Sequence, residues 1–79
     1  MQVNDNVTLI AFLGTLTPEE SVNSTENYWK LIGQGGQVIE LAEERVLVKF
    51  QCNIDSFELE NHNPVNDSLW ILRTDLQIV

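Results

Sequence analysis

The chain has 79 residues, 43% of them hydrophobic, and twelve carboxylates against four lysines and arginines give it a formal charge of -8. A chain this short forms one domain, residues 1-79, with a compact core, because folding buries only roughly 60 to 65% of the surface the unfolded chain exposes. The composition argues against intrinsic disorder, the charge against a phosphate-backbone ligand, and the single cysteine, Cys52, excludes an internal disulfide.

No basic segment precedes an apolar stretch at the N-terminus, and the run from Val7 to Leu16 is broken by Thr8, Gly14 and Thr15. Neither a signal peptide nor a membrane helix is expected, and a reducing, cytoplasmic compartment is the natural setting. The Asn-X-Ser/Thr triplets at Asn6, Asn23 and Asn66 are of the kind that an asparagine-rich, hydroxyl-rich chain produces by chance.

Val7 to Leu16 carries no charge, and its β-branched content predicts a first strand, with Thr8, Ile10 and Phe12 on one side and Val7, Leu9, Ala11 and Leu13 on the other. Thr17-Pro18-Glu19-Glu20 is a helix start, with threonine to cap, proline at the first position and carboxylates at the positive end of the dipole. The polar run Ser21 to Asn27 then competes with helical hydrogen bonding, so a single turn is expected near Pro18. The alternative is an α+β fold with a helix over 18-32, carrying Val22, Trp29 and Ile32 on one stripe and ending at Gly33.

Tyr28 to Gly33 reads as a strand, Gly33 to Gly36 as a hairpin turn, and Val38 to Leu41 and Arg45 to Phe50 as paired strands joined across Ala42-Glu43-Glu44. The glycine cluster lacks the lysine and hydroxyl residue of a phosphate loop. In the second strand Val46, Val48 and Phe50 share the face expected in the core. Cys52 to Glu60 is expected to lead into a short strand, with Glu58 and Glu60 exposed on either side of Leu59. Asn61 to Ser68 forms a turn-rich connection, Leu69 to Leu72 a strand, and Thr74 to Leu76 a tight turn before Ile78-Val79.

The succession Leu31-Ile32-Gly33-Gln34-Gly35-Gly36-Gln37-Val38-Ile39, Arg45-Val46-Leu47-Val48-Lys49-Phe50 and Leu69-Trp70-Ile71-Leu72-Arg73-Thr74-Asp75-Leu76 resembles the SH3-like small barrels, in particular the KOW-type and other bacterial SH3-like domains. The resemblance implies a mainly β fold, a small five-stranded SH3-like barrel or strongly bent antiparallel sheet, that works by binding and brings no catalytic residues. KOW-type domains are basic where they meet RNA. Four cations against twelve carboxylates depart from that pattern and disfavour an RNA- or ribosome-associated role.

The candidate binding residues are Glu19, Glu20 and Glu26 with the aromatics Tyr28, Trp29 and Trp70, because aromatics with polar handles dominate interface energetics when exposed. One tryptophan is expected in the core and the other partly exposed. A basic protein partner is the expected ligand; the alternative is an immunity or inhibitor protein that plugs a basic site. A zinc centre is not expected from one cysteine and one histidine, although Cys52, Glu60 and His62 lie near one another in sequence. His62 reads as a loop residue making local contacts. Cys52 reads as a small core residue rather than a nucleophile, and no cofactor, metal or enzymatic activity is expected.

Overall fold

In the computed structural model, which describes all 79 residues, five antiparallel strands form one open sheet in the order β4-β3-β2-β1-β5. The strands are β1 (Asn6–Leu9), β2 (Gly35–Leu41), β3 (Arg45–Phe50), β4 (Ser68–Leu72) and β5 (Leu76–Ile78). β1 to β4 follow one another across the sheet, and β5 returns to pair with the free edge of β1, Val7 opposite Ile78 and Leu9 opposite Leu76. The rest of the regular structure is a set of 3-10 turns at Ser24–Glu26, Tyr28–Leu31, Ile54–Phe57 and Arg73–Asp75.

Alternation along the strands explains which face is covered. Val7 and Leu9, Val38, Val46, Val48 and Phe50, Leu69 and Ile71, and Leu76 all lie buried in one cluster. Two long connections close over it. The β1–β2 connection contributes Tyr28 and Leu31, and the β3–β4 connection contributes Ile54 and Leu59. A bulge between Val38 and Glu40 shifts the β2–β3 register, placing Glu40 opposite Leu47 and Leu41 opposite Val46.

Several local expectations give way to tertiary packing. The first strand ends at Leu9 instead of running to Leu16, because Ile10 donates to the Asp75 carbonyl at 2.9 Å and the chain then folds into a tight turn in which Phe12 and Thr15 exchange backbone hydrogen bonds. No helix over 18-32 forms: a single turn follows Pro18, closed by the Val22 amide donating to the Glu19 carbonyl at 3.1 Å, and 3-10 turns come later, at Ser24–Glu26 and Tyr28–Leu31. Asn23 explains the first of these, since its side chain accepts from both the Thr25 amide and hydroxyl at 3.1 Å.

Tyr28 to Gly33 is not a strand. It is the 3-10 turn that carries Tyr28 and Leu31 inward, and it returns to the sheet where Gly33 donates to the Leu9 carbonyl at 2.8 Å. The glycines divide accordingly: Gly33 turns at φ +95, whereas Gly35 and Gly36 belong to β2. Cys52 to Glu60 holds a 3-10 turn instead of a strand, although Leu59 is buried between exposed Glu58 and Glu60 as the alternation indicated. Leu47, on the other face of β3 from Val46 and Val48, is also buried, with Trp70 of β4 directly opposite it.

Candidate acidic groove

The site grows out of the way the β1–β2 connection is tied down. Asp75, buried at 2% exposure, accepts from the Gly14 amide at 3.1 Å through one carboxylate oxygen and at 3.4 Å through the other. That bond pins the Phe12–Thr15 turn to the junction of β4 and β5. Within the turn, Leu13 (φ 50) and Gly14 (φ 77) both hold positive φ.

Trp29 then fastens the turn to the 3-10 segment behind it. Its indole N–H donates to the Thr15 hydroxyl at 3.0 Å, and its ring meets Phe12 edge-on with centroids 4.9 Å apart. Phe12 also packs at 5.7 Å against Tyr28, whose hydroxyl donates to the Glu60 carbonyl at 2.8 Å. In the other direction the Glu60 amide donates to the Thr25 carbonyl at 2.9 Å, so the two long connections are clasped at one residue. Burial first, and then the Glu26 and Glu60 carboxylates, push the Tyr28 phenol above its ordinary value.

Two open hollows result on the outer side of this framework. One, of about 440 Å³, is lined by Leu13, Pro18, Val22 and Trp29 with Glu19 among its polar residues. The other, of about 400 Å³, is lined by Phe12, Leu13, Val22, Tyr28 and Trp29 with Glu26 among its polar residues. The structure therefore brings Glu19, Glu26, Tyr28 and Trp29 together. Glu20 is exposed beside them without lining either hollow. Trp70 is not part of the set, because it lies on β4 opposite Leu47, on the face away from the core. Both tryptophans are partly exposed, so neither is the core residue expected from the sequence.

Phe12, Leu13 and Val22 complete the groove; Phe12 and Leu13 escaped the sequence reading, whereas Val22 entered it only on the stripe of the alternative helix. Phe12 and Leu13 were absorbed into an extended first strand; the Leu13-Gly14 pair was the available sign of a turn.

The lysines and arginines do not pair with the carboxylates of this surface. Arg73 donates to the carbonyls of Ala42 and Glu43 and so caps the β2–β3 turn, and Lys30 reaches the Phe57 carbonyl at 3.4 Å. No lysine or arginine forms an ion pair with a carboxylate. The Nε2 atom of His62 stands 3.2 Å from a Glu60 carboxylate oxygen and 3.6 Å from one of Glu26.

Glu26, Glu60 and His62 offer three ligand atoms within 4.8 Å of one another, all on exposed residues. Cys52 is not among them. It is half-buried beside the core, and burial, reinforced by Asp67 and opposed by a backbone hydrogen bond, pushes its thiol up. The asparagines of the second connection serve as local wiring: Asn61 accepts from the Asp67 amide at 2.8 Å and donates to Asp55 at 2.8 Å, and Asn63 donates to the Ser68 carbonyl at 2.8 Å. No helix is long and apolar enough to cross a membrane. Comparison with protein-family models, with curated proteins and with solved structures finds no match for this chain.

Proposed function

We propose that this chain is an SH3-like protein-interaction module that holds a basic partner in the groove formed by Leu13, Pro18, Val22 and Trp29. The observation that carries the reading is an exposed apolar groove with Glu19 and Glu26 along it, in a chain of charge -8 whose carboxylates are not neutralised by lysine or arginine. Apolar contact supplies the affinity of such a surface, and the uncompensated charge steers a cationic partner and selects against anionic ones. The meander β1 to β4, the return of β5 to β1 and the 3-10 turn between β4 and β5 support the small-barrel kinship. The unpaired thiol of Cys52 suits a reducing, cytoplasmic setting.

Titration of the ¹⁵N-labelled protein with oligolysine at low salt tests the reading. Amide shifts should concentrate between Phe12 and Trp29, and Glu19→Lys and Glu26→Lys should weaken binding several-fold where Glu43→Lys and Glu44→Lys do not. Equal sensitivity to all four reversals would reduce the interaction to unlocalised charge and refute the groove.

A further inference from the structure

Leu13, Val22 and Trp29 belong to both hollows. They form a shared apolar wall, with one glutamate on each side of it: Glu19 in the first hollow and Glu26 in the second. An apolar lining that includes a single carboxylate residue matches a long cationic side chain, whose methylene stem lies on apolar surface while its head stays with the charge. Trp29 adds an aromatic ring, a further attraction for a cation.

Leu13 supplies an independent reason to regard the wall as built for contact. The residue is 49% exposed and its backbone sits at φ 50, a region that leucine rarely adopts and that asparagine or glycine would fill more readily. The fold thus gains little from a leucine there. Strained, exposed positions of this kind gather at ligand contacts.

Resting on the groove reading above, we infer that the groove recognises a segment bearing two lysine or arginine side chains, one per hollow, with Leu13 as the divider between them. The partner is therefore a dibasic segment, recognised through its stems as well as its charge. A singly basic segment can fill only one hollow.

Short acetylated, amidated peptides test this at pH 6.5 and low salt, with binding followed by the amide shifts of Leu13, Val22 and Trp29. One series carries two lysines separated by zero, one or two residues. A second replaces both lysines by 2,4-diaminobutyrate, which keeps the charge and removes two methylenes from each stem. The best lysine peptide should bind about fourfold more tightly for each stem restored, the effect of roughly one methylene's worth of surface leaving water per side chain. Leu13→Asn, which suits the turn, should leave the protein folded and weaken the lysine peptide about fivefold, and Glu19→Gln and Glu26→Gln should each weaken it with compounding effect.

Equal binding of the two series, native affinity in Leu13→Asn, or no binding of any peptide would overturn the two-hollow inference. The oligolysine experiment separates the failures. If Glu19→Lys and Glu26→Lys still weaken oligolysine, the acidic groove stands without stem recognition; if they do not, both readings fall.

Discussion

Gly33 and Gly36 are required for different reasons, and substituting each by alanine separates them. At Gly33 the backbone is at φ +95 and a Cβ would meet nothing within 4 Å, so the cost is purely conformational. An L-residue forced into left-handed backbone loses about 1–2 kcal/mol. At Gly36 a Cβ would stand 2.7 Å from the Lys49 carbonyl oxygen and 2.7 Å from Val48 Cγ1, against 3.4 Å for the near limit of ordinary contact. The offending oxygen belongs to β3, and Gly36 lies between Val7 of β1 and Phe50 of β3, so relief requires the middle of the sheet to move. Overpacking costs about 1–3 kcal/mol, and a backbone obstacle places Gly36→Ala at the upper end.

A chain of this size has about 4–12 kcal/mol of stability, and a urea dependence near 1 kcal/mol per molar converts these costs into midpoint shifts of about 1–2 M for Gly33→Ala and about 3 M for Gly36→Ala. Gly35→Ala is the control, because its Cβ would meet nothing nearer than the Gln51 side chain at 3.5 Å. D-alanine at position 33, introduced by total synthesis with ligation at Cys52, should raise stability by about 0.4–1 kcal/mol, since it favours the native φ and restricts the unfolded chain. The readout is the urea midpoint followed by tryptophan fluorescence. If D-alanine destabilises as much as L-alanine, or if Gly36→Ala unfolds with the native midpoint, the argument from backbone sign and cross-strand space is wrong.

Two further outcomes follow from the framework of the groove. Asp75→Ala leaves the Gly14 amide without its acceptor, which should cost about 1–3 kcal/mol and accelerate hydrogen exchange at Gly14 before the sheet amides; unchanged exchange there would show that Asp75 does not hold the turn. Tyr28 is the only tyrosine, so phenolate absorbance reports it alone. Its raised value means that the folded state favours the neutral phenol, so its contribution is fully present below the ordinary value of 10.0 and is lost as pH rises through the higher folded value. Tyr28→Phe should flatten the alkaline loss of stability while giving up about 1 kcal/mol at neutral pH with the Glu60 hydrogen bond, whereas a phenol titrating at or below 10.0 in the folded protein would contradict the burial argument.

Strand identity was most legible where period-two alternation met a buried face. Val46, Val48 and Phe50 lie in the core as their spacing indicated, and β4 and the closing turn fall within a residue or two of their expected bounds. Legibility failed in the connections. Tyr-Trp-Lys-Leu has the aromatic and aliphatic content of a strand, yet a 3-10 turn lets Tyr28 and Leu31 both reach the core while Trp29 stays at the surface. Trp70 shows the converse: its strand was recognisable, but which face it occupied depended on its register against Leu47.

Composition and local pattern alone determined a small acidic domain, mainly β, with Val46, Val48 and Phe50 as its core strand face and with the glutamates of the first long connection as candidate contacts. Those properties depend on charge, which simply adds, and on alternation, which a strand imposes on its own residues. Only the tertiary structure decided that Glu19 and Glu26 meet Leu13, Val22 and Trp29 while Trp70 lies elsewhere. That assembly depends on bonds between residues remote in sequence, Asp75 to Gly14 and Tyr28 to Glu60, whose partners no local pattern specifies.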